Sequence, residues 1–338
     1  MTTDGPRVLL AMGDFGHERC GVGSSVAALV DASEPVEVLD AAAPGFWRFV
    51  SRARRAARVD GRVCVAVYPT RSTVYQRDLL LRAIALRAAF GRRRFRLQLH
   101  EFHKLRRLLR WPVSVALLLP GRIVVSSAVE QDAVRGALRG LVGRVADVRV
   151  VPPTNGTAPT PGEVAAVGRG DPDAAGGLTV GVFGMRRPDK AAEWLLGLLE
   201  QLDAAFVTLV LAGAGWDEQE WPRGIRDRYE IEIVGHVPRA ELPALFAGWD
   251  LAVAPLWEPA HDGRMSLRTP LAFGVPTVTV GPRGPGLTLD PPHLVLVPPD
   301  DATALKAVGD DERRAGAAAV AAFEQHLADR LAAALFSA

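Results

Sequence analysis

Twelve short apolar runs, rich in β-branched residues, punctuate the chain at 7–12, 36–40, 62–68, 95–100, 123–126, 148–151, 178–183, 206–212, 231–234, 251–254, 277–280 and 294–297. Runs such as VLLAM and VCVAVY are apolar on both faces, as strands buried inside a parallel sheet are. Helix-like stretches separate them, so the pattern predicts an α/β protein with doubly wound parallel sheets. Between the sixth and seventh runs lies PPTNGTAPTPGEVAAVGRGDPDAAGG, whose Pro, Gly, Thr and Asp content reads as a linker. The expected organisation is a first domain at 1–153, a linker at 154–177 and a second domain at 178–312. An Ala-rich helix at 313–338 closes the chain and is expected to pack back on the first domain. Open α/β sheets bind ligands at the carboxyl ends of their strands, so two such domains facing each other would enclose a cleft. Chemistry is therefore sought at strand ends.

The 338 residues are 49% hydrophobic and 23% charged, which excludes a disordered tail protein. Two cysteines, Cys20 and Cys64, cannot build a disulfide scaffold, and the start MTTDGPRVLLAMG lacks the basic segment and apolar core of a secretory signal. The longest apolar run, around 113–119, is closed by Pro112 and Pro120, far short of the ~20 residues of a membrane span. The expectation is a cytoplasmic protein. The net charge of +2 conceals a division, with 25 Lys and Arg against 13 Asp and Glu in residues 1–150, and 15 against 25 thereafter. The first half is thus suited to an anionic partner, although arginine richness also follows from a GC-rich genome.

Four strand ends carry candidate chemistry. After the first strand, GDFGHERCGVGSS places glycines ahead of a helix, either to bring backbone N–H groups to an anion or as a plain turn. After the fourth stands LHEFHK, where His100 and Glu101 would emerge at the strand end to donate a hydrogen bond or move a proton, or else form an ordinary surface pair. His100 and His103 lack further ligands at zinc-like spacing, so no metal site is expected. In the second half, GVFGMRRPDK is a strand, a glycine turn and a helix start where Arg186, Arg187 and Lys190 would meet a diphosphate or simply face solvent. Finally, LAVAPLWEPAHDGRMSLRTPLAFGVP runs from a strand through a loop holding Glu258, His261 and Asp262 into a short helix ended by Gly274. Pro270 is expected in that helix's first turn with Thr269 or Ser266 as cap, leaving free N–H groups near Gly263, Arg264, Met265 and Ser266 for phosphate. Glu258 would hold ribose hydroxyls or be an exposed loop acid.

The segments FGMRRPDK, LVLAGAG, IEIVGHVPRAELPALFAGWDLAVAP and TPLAFGVPTVTV, in this order, resemble the retaining glycosyltransferases of the glycogen-synthase-like family four. In the first half, CGVGSSVAALV and LHEFHK are similar to that family's acceptor-side glycine loop and strand-end histidine. The resemblance implies the GT-B architecture of two Rossmann-like domains facing across a cleft, in a divergent bacterial member. It implies transfer of a sugar from a nucleotide diphosphate sugar, UDP-, GDP- or TDP-linked, with retention of configuration and neither metal nor cofactor. By the same resemblance Gly184, Arg186, Lys190, Gly213, Gly235, His236, Glu258, Gly263, Arg264, Met265, Ser266 and Thr269 would bind the donor. Cys20, Gly21, Val22 and Gly23 would bind the acceptor, and His100 with Glu101 would stand at the reacting sugar. Two departures are visible. Where the family carries two glutamates eight apart, this chain has His261 and Thr269, and Met185 stands at the usual arginine position ahead of Arg186. An epimerase or hydrolase of nucleotide sugars, or a member that binds without turnover, are the alternative readings.

The basic first half has one more feature. FWRFVSRARRAARV, at 46–59, places Phe46, Trp47, Val50 and Ala53 or Ala57 on one stripe among five arginines. Such a helix either lies peripherally on the anionic inner face of a membrane or packs its stripe into the core with the arginines in water. The acceptor is expected to be a small molecule, a saccharide or a lipid-linked group, and no nucleic-acid module is present.

Overall fold

All twelve predicted runs form strands in the computed structural model, which describes residues 8–12, 36–40, 45–59, 61–69, 73–100, 102, 105, 113–139, 147–151, 159, 163, 178–186, 192–201, 207–217, 219–256, 260–280, 287, 294–297 and 320. The chain divides into two units, Met1–Gly156 with His326–Ala338, and Thr157–Gln325. Apart from Pro159, Glu163 and Val320, the predicted linker and closing helix lie outside the described residues. Glu163 is held to Arg239 by two hydrogen bonds of 2.9 and 2.8 Å, a bidentate ion pair within the second unit.

The first unit holds strands β1 Val8–Met12, β2 Val36–Asp40, β3 Val63–Pro69, β4 Phe95–His100, β5 Arg122–Val125 and β6 Asp147–Val150. They form one sheet in the order β2-β1-β3-β4-β5-β6, every neighbour parallel. The order turns between β1 and β3, as in flavodoxin-like sheets. Helices α1 Phe46–Ala57 and α2 Thr73–Arg94 pack against each other on one face of the sheet, and α3 Ala128–Arg139 follows β5. Helix α2 is broken at Gly91, where φ is 70°. The core joins Cys64, Ala66, Leu97 and Leu99 of the sheet to Phe49, Ala53 and Ala56 of α1 and Ala83, Leu86 and Phe90 of α2. Each large apolar side chain withdrawn from water contributes about 1.5–3 kcal/mol. Burial pushes the Cys64 thiol well above its ordinary range. It also pushes Arg96 down to about 10, helped by the charges of Arg122 and Arg149.

The buried face of α1 differs from the predicted stripe. Phe49, Ala53 and Ala56 point inward at positions i, i+4 and i+7, while Trp47 is 79% exposed. Packing turns Phe49, Ala53 and Ala56 onto core residues of the sheet and α2, where Arg82 lies over the Phe49 ring at 4.9 Å.

The second unit repeats the architecture with β7 Leu178–Phe183, β8 Val207–Ala212, β9 Glu230–Gly235, β10 Leu251–Ala254, β11 Thr277–Val280 and β12 Leu294–Val297, ordered β12-β11-β10-β7-β8-β9 and all parallel. Counted from its own first strand, this is the Rossmann order 3-2-1-4-5-6. Its helices are α4 Ala192–Gln201, α5 Arg223–Arg228, α6 Leu242–Ala247 and α7 Met265–Ala272. Phe246 stacks on Phe273 at 4.8 Å and meets Trp249 edge-on at 4.9 Å, an aromatic cluster beside β10. Trp249 presses on β7 at Gly181, where a Cβ would come within 2.1 Å of the indole. Below the site, Thr179 donates its N–H to Asp250 Oδ2 at 2.7 Å and Asp250 donates its own to the Thr179 carbonyl at 2.9 Å, which fixes β7 against β10.

Candidate functional site

In the second unit the strand order turns between β7 and β10, and a doubly wound sheet opens its ligand crevice at the carboxyl ends of such a pair. One side of that crevice is the turn after β7. Gly184 N–H donates to the Ala212 carbonyl at 2.8 Å, Arg186 N–H to Ala214 at 2.9 Å, and Gly213 N–H to Gly235 at 2.6 Å. The indole N–H of buried Trp216 donates to the Gly184 carbonyl at 3.0 Å. Backbone bonds thus knit the ends of β7, β8 and β9 into one floor. Gly213 is irreplaceable there: its φ is 146°, and a Cβ would sit 2.4 Å from the Gly184 backbone. The structure therefore brings together Gly184, Arg186, Gly213 and Gly235, four residues read from the sequence as donor-binding. The Arg186 side chain is exposed, with Nε donating to Gln219 Oε1 at 2.8 Å and Cβ resting over Gly215. Met185 and His236 are exposed beside this floor, and Lys190 lies outside the described residues.

The other side follows β10. Glu258 lies outside the described residues, which resume at Ala260. His261 Nδ1 accepts the Gly263 N–H at 3.1 Å, and the His261 carbonyl accepts the Arg264 N–H at 3.0 Å. In the neutral ring the proton then sits on Nε2. Helix α7 begins at Met265 with Arg264 at the N-cap and no side-chain cap bond. Met265 and Ser266, in the first turn, have no acceptor within the helix for their amides. This corrects the sequence reading on three counts: the helix starts earlier, neither Ser266 nor Thr269 caps it, and Pro270 lies inside it. Pro270 lies two residues before the last residue of the helix, which ends in a Schellman motif. There Gly274 N–H donates to Leu271 at 2.9 Å, Val275 N–H donates to Pro270 at 3.0 Å, and Gly274 takes a φ of 77°. Arg268 and Thr269 are fully buried and Asp262 nearly so, while Gly263, Arg264, Met265 and Ser266 are partly accessible. Thr269, the residue at the second glutamate position, therefore presents no surface here.

In the first unit, His100 ends β4 opposite Pro69 and is only 5% exposed, so the surface-histidine alternative fails. It shares a strand face with Arg96 and Gln98, both buried, and Gln98 Oε1 has no hydrogen-bond partner. Two residues on, Phe102 N–H donates to Glu130 Oε1 at 2.8 Å, and the other oxygen of this fully buried carboxylate accepts Ser126 N–H at 2.9 Å and Ser126 Oγ–H at 2.6 Å. Glu130 thereby ties the chain beyond His100 to the start of α3. The sequence reading assigned no role to Glu130 or His261. The signal for the first was Ser127-x-x-Glu130, a capping box, and Ser127 Oγ does accept the Glu130 N–H at 3.3 Å. Glu101, Cys20, Gly21, Val22 and Gly23 lie outside the described residues.

Two six-stranded parallel sheets, the second with Rossmann order and a glycine floor at its turning point, define the GT-B glycosyltransferase fold. Residues 177–308 match the family model described as Glycosyl transferases group 1. Among solved structures, the chain is similar to Anabaena Alr3699/HepE in complex with UDP and glucose, with 19% identity, a TM-score of 0.64, and 99% of this chain and 100% of that one covered. A glycosyltransferase from Rickettsia africae ESF-5 aligns at 14% identity and a TM-score of 0.56, covering 98% of each chain. WaaG, a glycosyltransferase involved in lipopolysaccharide biosynthesis, aligns at 11% identity and 0.55, covering 98% of this chain and 100% of its own. At such identities the likeness is one of fold. No curated protein matches the sequence.

Proposed function

We propose that the protein transfers a sugar from a nucleotide diphosphate sugar, with UDP the first nucleotide to test, to an acceptor, retaining the anomeric configuration and requiring no metal. The observation that carries this reading is the knitted glycine floor at the turning point of the second sheet, with Arg186 standing beside it. Support comes from the family match over this unit and from the fold shared with a protein solved with UDP and glucose.

In this reading the anomeric C–O bond to the diphosphate breaks while the acceptor oxygen bonds the same face of the carbon. The acceptor proton passes to the departing phosphate oxygen, so no protein base is needed. Negative charge grows on the diphosphate as the sugar becomes cationic. Arg186 and Lys190, with the amides of Met265 and Ser266, offset that charge. One well-placed donor is worth about 3–4 kcal/mol in such a role. Glu258 would hold ribose in place of the absent second glutamate. His100 would orient the sugar, with Glu101 beside it, and the 20–23 loop would receive the acceptor.

The test is thermal shift against UDP, GDP, TDP and their sugars, followed by product NMR with and without EDTA. A rise in melting temperature with one nucleotide, turnover in EDTA and an unchanged anomeric signal are expected. Indifference to every nucleotide would sink the proposal. The replaced glutamate pair favours one second reading, a nucleotide binder without turnover, which would show the thermal shift and no product.

A further inference from the structure

We propose that the outer face of α1 and α2 is a docking surface for an anionic lipid bilayer. The inference stands apart from the transfer chemistry and rests on two stripes. On α1, Trp47, Ser51, Arg54 and Arg58 follow at i, i+4, i+7 and i+11, about 200° from the core residue Phe49. All four are exposed. On α2, Leu81, Ile84 and Ala88 repeat at i, i+3 and i+7, opposite the core residue Leu86, with Leu81 53% and Ile84 46% exposed. Both helices bury their inner sides in the same core on the same face of the sheet, so both stripes look outward together.

The chemistry of this face selects its occupant. Residues 46–59 contain five arginines and no acid, and on α2 Arg87 is partly accessible and Arg93 exposed, while Arg82 and, in β4, Arg96 are buried. Among the described residues, Arg48, Arg54, Arg55 and Arg58 enter no ion pair or side-chain hydrogen bond, so their charge is uncommitted. A second copy of the chain would set arginines against arginines, because a two-fold contact uses the same patch twice. Single-stranded nucleic acid wants a series of stacking rings, and this face offers Trp47 with its neighbour Phe46 at 5.4 Å amid aliphatic residues. A bilayer surface meets every feature. Lipid phosphates pair with the arginines, the indole takes the headgroup level that tryptophan favours, and Leu81 with Ile84 reaches the acyl boundary.

Sedimentation of the full chain with vesicles tests this. The protein should pellet with phosphatidylcholine vesicles containing about one-third phosphatidylglycerol, and leave them as salt screens the charges. Pure phosphatidylcholine should retain almost none. Arg54→Glu with Arg58→Glu should lower the bound fraction roughly tenfold, and Trp47→Ser roughly threefold, with melting temperature and nucleotide binding unchanged. Should the double variant melt early, Arg58→Glu alone carries the same readout. Equal binding to both vesicle types, binding that survives the arginine reversals, or a preference for RNA over vesicles in competition would each overturn the proposal.

Discussion

The two units share an architecture and fasten their strand ends by opposite means. In the second, the turns after β7, β8 and β9 hold one another through backbone groups, with glycines where the strands come closest. In the first, among the described residues, Phe102 beyond His100 is bonded to the carboxylate of Glu130, which also receives the N–H and Oγ–H of Ser126. A backbone-knit floor tolerates exchange of the side chains above it but no added bulk within it. A side-chain clasp tolerates bulk nearby but not the loss of one charge. The difference shows how one fold keeps a glycine floor rigid in one sheet and anchors the chain beyond a strand-end histidine through a distant residue in the other.

The sharpest way to break this contrast is Gly213→Val. The added carbons meet the Gly184 backbone at a φ of 146°, so a loss of about 3 kcal/mol, or roughly 6–12 °C in melting temperature, is expected together with nucleotide binding. Unchanged calorimetric melting would mean the floor is not built as described. Next comes Glu130→Ala, which strands three donors and should cost about 2–3 kcal/mol. Its kinetic signature should be a fall in kcat with nucleotide affinity intact, and Glu130→Gln should recover part of it. An equal loss of nucleotide affinity would erase the distinction between the units. Arg186→Ala probes a side chain above the floor, where nucleotide Kd should rise about five- to tenfold while stability stays within about 0.5 kcal/mol. The smallest effect is expected at His261, where replacement by Ala removes the acceptor of the Gly263 N–H at a cost of about 1 kcal/mol in donor binding. Asn, which keeps an acceptor, should retain most of it by titration calorimetry.

Strands were legible because burial on both faces leaves an unbroken apolar run, as in VCVAVY, that no exposed element would carry. The turn after β7 was legible from GVFGMRRPDK, a strand ending in glycine with basic residues close behind, whereas Gly213 and Gly235 were read through the family resemblance. Helix faces were not. On α1 the expected stripe through Trp47 and Val50 gave way to Phe49, Ala53 and Ala56, because the surfaces of α2 and the sheet that receive this helix come together only in the fold. The start of α7 was hidden because its N-cap is Arg264, a residue type with no capping preference, while Pro270 sits past the first turn against its usual habit. Glu130 was overlooked because its partners, Phe102 and Ser126, come from different strand ends that meet only in the folded sheet.

The bond from the Trp216 indole to the Gly184 carbonyl makes a chromophore part of the floor itself. Any ligand that draws on that carbonyl or shifts the turn changes the electric field along the indole, so occupancy is written into ultraviolet emission without a label. A Trp216→Phe difference spectrum isolates that signal from the six other tryptophans of the chain.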